Sequence, residues 1–300
     1  MPCRYINSSD NHYFLLPVIT RRAMMGINEY TFPIGFLLVL TGTEPLRLLK
    51  DAYLPDFNPK KWPLISPDGF LNKFLAGHSF EIFTLVFIIL QTYKLIVVIK
   101  MKPLLPTSDM TQIYDCLQGS KSDVSLIDTM KDSGNKKAAT FRYSGVQMIK
   151  LAGIFMPVIT CIVWFFGPSL YERIHRITGG HCIGHPETVF YRSCVSSGWR
   201  YEGGFKSSGH SLITCTFASA LSWETVSLNK WIVLMNRITE LPVRVSGSCK
   251  LLELAFLALC LAWLMMFTVT CMFYHSFMER VVGTLCALLI VYFVCFRLKL

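Results

Sequence analysis

The sequence predicts an all-α polytopic membrane protein, a bundle of six transmembrane helices. Three observations carry this. Of 300 residues, 52% are apolar, 13% aromatic and only 16% charged, a balance found in membrane chains rather than soluble domains. Apolar runs approaching the roughly 20 residues of a spanning helix recur along the chain, separated by polar loops bearing proline and glycine. The formal charge of +10 is scattered over short loops instead of being gathered with aromatic residues into a groove. It therefore reads as membrane orientation, and no nucleic-acid partner is expected.

Taken in order, residues 1–28 read as a cytosolic N-terminal tail and residues 29–300 as one six-span membrane domain without internal repeat. No cleavable leader is visible: the short run Tyr13–Thr20 is broken by Pro17 and followed by Arg21 and Arg22. The first span, about residues 30–46, contains Pro33, Gly35 and Gly42, with Thr43-Glu44-Pro45 as its stop. From Arg47 to Leu75 the chain reads as loop. The second span, 80–99, is interrupted only by Gln91 and Lys94, and the lysine is placed to snorkel toward the headgroups. A solvated loop, 100–143, precedes the third span, 146–166, in which Pro157 marks a kink.

A long polar loop, 167–207, leads to the fourth span, 209–226, where Glu224 reads as an interfacial helix-end residue. Residues 227–250 read as a connecting loop and 251–273 as the fifth span; a tight turn, Tyr274–Arg280, leads into the sixth, 281–296. The basic residues favour an N-terminus in the cytosol, which puts the C-terminus there too and the 167–207 loop on the opposite side. In that orientation the sequon Asn7-Ser8-Ser9 stays unglycosylated.

Cys161, Cys215, Cys260, Cys271, Cys286 and Cys295 fall inside apolar runs and read as small packing residues. Cys182 and Cys194 share the long polar loop, where an oxidising lumen leaves open either a disulfide or two free thiols. His181, Cys182 and His185 have a zinc-like spacing but no second ligand pair, and no Asp/Glu cluster suits magnesium. Neither a metal nor another cofactor is expected.

The chemistry concentrates where Phe205-Lys206-Ser207-Ser208-Gly209-His210 runs from a polar loop into the fourth span. A helix starting here leaves its first N–H groups unpaired, and Ser208 and Gly209 put no bulk between them and an anion. His210 adds a proton carrier at the same point. Six-span topology brings His275, at the end of the fifth span, to the same membrane face. Glu279, four residues on, is placed to accept a ring N–H of His275 and fix its tautomer.

The pair supports a phosphoryl-transfer reading: His275 attacks phosphorus, while His210 protonates the leaving oxygen and then activates water. Lys206, Arg200 and Arg280 are the nearest cations for the phosphate oxygens. Each feature also has a plain structural reading. A lone histidine at a membrane rim is most often an amphipathic rim residue, Ser-Gly-His is an ordinary helix start, and Glu279 and Arg280 serve as headgroup anchors. Two histidines on one face are what those readings leave unexplained.

Cys194, Gly198-Trp199, Gly203-Gly204-Phe205 and Ser208-Gly209-His210, followed by Tyr274-His275-Ser276-Phe277-Met278-Glu279-Arg280-Val281-Val282-Gly283, resemble the fat storage-inducing transmembrane protein family, particularly its fungal members. The likeness covers the C-terminal third and the six-span layout, while the N-terminal half offers hydropathy alone. The resemblance implies a lipid-phosphatase-like bundle in the endoplasmic-reticulum membrane, with both termini cytosolic and the histidines luminal. It implies an acyl-CoA diphosphatase, cutting the phosphoanhydride of fatty acyl-CoA to acyl 4′-phosphopantetheine and adenosine 3′,5′-bisphosphate, in support of lipid-droplet biogenesis and phospholipid balance. His210 and His275 would be its catalytic pair.

Where that family commonly has Asp-Ile before Ser-Gly-His, this chain has Lys206-Ser207, which exchanges a carboxylate for an ammonium beside the phosphate site. The basic triads of other lipid phosphatases are not recognisable. Two other classes compete. A non-catalytic protein that binds diacylglycerol or triacylglycerol between its spans and promotes droplet budding gives the paired histidines no task. A transporter is opposed by the scarcity of charge in the spans and the lack of a two-half repeat.

Overall fold

The structure is a computed structural model that describes residues 28–54, 56–58, 61, 62, 66, 69, 72–101, 136–163, 168–184, 190–238 and 247–297. The N-terminal tail with Asn7, most of the 100–143 loop, and His185 lie outside the described residues. Those described form α1 (Thr31–Tyr53), α2 (Ser79–Met101), α3 (Lys136–Ile162), α4 (Leu170–Ile177), β1 (His181–Ile183), α5 (Tyr191–Ser196), β2 (Arg200–Glu202), α6 (Gly209–Ile238), α7 (Gly247–Phe273) and α8 (Phe277–Val291). Wider π-helical turns, Asn72–Ala76 and Tyr292–Arg297, precede α2 and extend α8.

The chain is an all-α polytopic membrane bundle. Helices α1, α2, α3, α7 and the α8 run to Cys295 are the five that are long and apolar enough to cross a membrane among the described residues. Helix α6 is longer, at 30 residues, but its apolar character is diluted by Ser211, Thr214, Thr216, Ser219, Ser222 and Glu224, all buried. The cause is its position. It packs against α1, α2, α3, α7 and α8, so protein rather than lipid surrounds it, and small hydroxyl side chains let neighbouring helices come close. Their polarity is partly absorbed locally: the Thr214 hydroxyl donates to the His210 carbonyl at 2.8 Å. Around its apolar positions an aromatic core assembles, with Phe83 stacked on Phe217 at 4.6 Å between ring centroids and Phe80, Phe155 and Trp263 against the same ring.

Several boundaries differ from the sequence expectation for one shared reason: hydropathy locates lipid contact, not helix. Helix α1 does not stop at Thr43-Glu44-Pro45 but continues to Tyr53. Side chains beyond the expected stop hold it, Glu44 pairing with Arg280 and Arg47 donating to the His275 carbonyl. Helix α3 begins at Lys136, within the stretch expected to be loop, and α6 runs through Ser227 to Ile238. The turn after α7 is shorter than expected, since α8 begins at Phe277, with Ser276 as its cap.

Two charges also lie elsewhere. Lys94 does not snorkel outward and Glu224 is no interfacial residue: they are 4% and 1% exposed and meet at 2.7 Å. A lone buried charge is costly in lipid, and pairing inside the bundle relieves it.

The long loop carries a small ordered cap. Strands β1 and β2 pair antiparallel with Cys182 opposite Tyr201, and a Cys182–Cys194 disulfide ties β1 to α5. Helix α4 opens with a Ser169–Glu172 capping box.

Candidate functional site

The cap delivers the chain to α6 through Gly203 and Gly204, both at φ near +70° (72° and 71°). A Cβ on Gly204 would stand 2.3 Å from the His175 carbonyl, so no other residue fits there. Ser208 then caps α6. Its hydroxyl accepts from the Ser211 N–H at 3.2 Å and its carbonyl from the Leu212 N–H at 3.2 Å. The N–H groups of Gly209 and His210 meet no acceptor among the described residues, so the expected anion-facing donors are the first two of the helix. Gly283 of α8 lies against this start: a Cβ there would meet the Ser208 carbonyl at 2.6 Å.

His275 sits in the turn between α7 and α8 at φ 60°, a left-handed conformation that costs a non-glycine residue about 1 kcal/mol or more. Two contacts hold it. Arg47 of α1 donates to its carbonyl at 2.9 Å, and its Nδ1 lies 3.4 Å from Glu279 Oε2. The sequence argument placed Glu279 beside His275 by helical spacing. The pairing is present, although His275 precedes the helix.

Glu279 ties the site together. Its Oε2 accepts from the Ser276 N–H at 2.8 Å and its Oε1 from the Lys206 N–H at 3.1 Å, while its backbone carbonyl accepts from the Ser208 N–H at 3.1 Å. One residue of α8 therefore holds both the loop before His210 and the ring of His275. The two histidines lie within electrostatic range of each other. His210 Nε2 contacts Asn72 Oδ1 at 2.6 Å. The rings are thus held by opposite nitrogens, Nε2 of His210 and Nδ1 of His275, and each keeps its other nitrogen without a partner among the described residues.

The three candidate cations part ways. Lys206 belongs to the site: its charge acts on His210, His275 and His175, and its Nζ lies 3.7 Å over the Tyr191 ring. Arg200 is exposed on the hairpin and pairs with Glu202 at 2.8 Å; no described contact joins it to the histidines. Arg280 is fully buried and committed to the protein, donating to the carbonyls of Cys271 and Ser276 and pairing with Glu44. It is a staple for the turn that carries His275.

Burial, the main cause, pulls His275 below the ordinary imidazole pKa, with Glu279 opposing. The neutral ring, the form with a free lone pair, therefore prevails at neutral pH. Burial also lowers His175, whose Nε2 lies 2.9 Å from the Gly203 carbonyl under the cap. Among the described residues no cluster of His, Cys, Asp or Glu is arranged to hold a metal.

Sequence reasoning missed Asn72, Arg47 and Glu44. All lie in or beside stretches expected to be loop or stop, and the only signal was a polar residue at the edge of an apolar run.

Fold and site together define a polytopic membrane protein with a histidine-bearing polar cluster at the head of its central helix. The family model described as "FIT: Fat storage-inducing transmembrane protein" matches residues 124–295, more than half the chain, and the chain belongs to that family. It is a multi-pass membrane protein of fat-storage, lipid-droplet type. No match is found among curated proteins or among solved structures. The matched region holds both histidines, Lys206 and Glu279; Glu44, Arg47 and Asn72 lie before it.

Proposed function

We propose that this chain is an acyl-CoA diphosphatase of the endoplasmic-reticulum membrane, acting at the luminal face with α6 as a sixth span and both termini in the cytosol. The observation that carries the reading is the histidine pair by the head of α6, with opposite nitrogens held and the other two without a partner among the described residues. His275 Nε2 attacks one phosphorus of the phosphoanhydride, forming an N–P bond as the bridging P–O bond breaks. His210 gives its proton to the departing oxygen. His210 then takes a proton from water, whose oxygen attacks the same phosphorus and releases His275. The products are acyl 4′-phosphopantetheine and adenosine 3′,5′-bisphosphate.

The N–H groups of Gly209 and His210, which meet no acceptor among the described residues, and the ammonium of Lys206 would take up charge on the phosphate oxygens. The acyl chain would rest among apolar helices while the nucleotide half reaches the cap. Purified protein in detergent should release adenosine 3′,5′-bisphosphate from oleoyl-CoA. His210→Ala and His275→Ala should each lower that rate by about 1,000-fold or more while leaving the fold intact. Wild-type rates in both variants would overturn the histidine assignment, and no release by the wild-type protein would leave neutral-lipid binding without catalysis as the standing reading.

A further inference from the structure

We infer that Asn72, on the π-helical turn ahead of α2 and outside the matched family region, is a positioning residue for His210: its side-chain oxygen holds the proton on Nε2 and keeps Nδ1 as the working nitrogen. The inference rests on the diphosphatase reading for its consequence in catalysis, but the bond itself stands on geometry. Asn72 Oδ1 lies 2.6 Å from His210 Nε2, and the residues come from segments 138 apart in sequence. A neutral imidazole carries one N–H, and whichever nitrogen donates leaves the other as acceptor. An amide oxygen can only accept, so the contact assigns the proton to Nε2.

The turn bearing Asn72 is itself anchored. The Gly77 N–H donates to the Asn72 carbonyl at 3.1 Å, and Ser79 at the start of α2 is fully buried. The turn also packs against α6 and α7. Asn72 therefore presents its oxygen from a fixed platform rather than from a free loop. The complementarity with His275 gives this a mechanistic sense. A carboxylate behind His275 favours a ring that turns positive as its N–P bond forms, whereas a neutral amide behind His210 holds orientation without trapping the proton that the ring must give up. The titratable and charged groups facing His210 are His275 and Lys206.

In the proposed first half-reaction, doubly protonated His210 gives its Nδ1 proton to the departing oxygen and keeps its Nε2–H on Asn72. In the second, Nδ1 takes the proton of the attacking water.

The test uses the full-length protein with 15N-labelled histidine, His210→Gln serving to assign the His210 resonances. Above the imidazole titration, wild-type His210 should carry its proton on Nε2, and Asn72→Ala should turn this into a mixture of tautomers. Asn72→Asp, which retains an acceptor and is the nearer isostere should the alanine variant fail to fold, should keep the Nε2 proton. It should also shift the His210 titration to higher pH, because a carboxylate favours the imidazolium.

In the oleoyl-CoA assay, Asn72→Ala should lower kcat by roughly 10- to 100-fold, the scale on which orienting partners act, with little change in KM. Asn72→Asp should move the pH profile of kcat upward. A neutral His210 protonated on Nδ1 in the wild type, or unchanged tautomer and kcat in Asn72→Ala, would overturn the inference. If the wild type shows no diphosphatase activity while the resonances behave as described, the function falls and the Asn72 contact survives.

Discussion

Helix α6 handles polar groups in opposite ways at its two regions. At its head, His210 is partly exposed, and among the described residues two N–H groups and one ring nitrogen on each histidine meet no partner. About 21 Å further along, at 1.5 Å per residue, Glu224 is 1% exposed and its carboxylate is fully engaged. Its Oε2 accepts from Gln91 at 2.8 Å and Lys94 at 2.7 Å, its Oε1 pairs with Lys150, and Tyr143 donates to Gln91 at 2.8 Å behind them. This cluster joins α2, α3 and α6. The contrast teaches how to separate a lock from a site inside one bundle: in the lock the carboxylate's donors are consumed, and in the site the strong groups are oriented on one side and open on the other.

That contrast can be broken most forcefully at the lock. Glu224→Ala leaves Lys94 and Lys150 buried without their carboxylate, and breaking such a pair costs about 3–5 kcal/mol. The expected outcome is a large loss of folded protein, read by thermal unfolding and size-exclusion chromatography in detergent, with normal kcat in the fraction that remains folded. A fold that tolerates Glu224→Ala unchanged would mean that the cluster is not the lock described.

A finer change tests the other region. Glu279→Gln keeps the length of the side chain, but its single oxygen can accept from only one of the Ser276 and Lys206 N–H groups, and the charge that supports protonated His275 is gone. Turnover should fall by roughly 10- to 100-fold. The sign of the pH effect follows from the cause. Burial already holds His275 below its ordinary value of about 6.5, and Glu279 pulls the other way, so without that charge the acid limb of kcat/KM should move to lower pH. The same lowering means that stability contributed by neutral His275 is present above the ordinary imidazole range and is lost as pH falls through it. A limb that moves upward in Glu279→Gln would contradict this arrangement.

The two regions also differ in how far they were legible. Ser208-Gly209-His210 and the His275–Glu279 spacing are local patterns with direct chemical meaning, and the expectation of six spans put them on one face. The lock was not legible, because Lys94 and Glu224 are 130 residues apart, and a charge at the end of an apolar run looks the same whether it turns inward or outward. The helix extension past Pro45 was missed for the same physical reason: polar contacts sustain it, Glu44 with Arg280 and Arg47 with the His275 carbonyl, and hydropathy does not register those. Helix α7 was easy by contrast, since its apolar content marks both its helix and its span. Arg280 shows the limit of charge counting. It stands beside His275 in sequence, yet its donors are spent on the protein.

The central claim, that His275 forms a bond to phosphorus while His210 manages the proton, is tested most directly by trapping the intermediate. Wild-type protein is incubated with oleoyl-CoA carrying 32P in both diphosphate positions, quenched within the first turnover in alkali to preserve phosphohistidine, and mapped by peptide. The account predicts label on the peptide containing His275 and none in the His210→Ala/His275→Ala double variant. Label on another residue, or label that persists without His275, would contradict it.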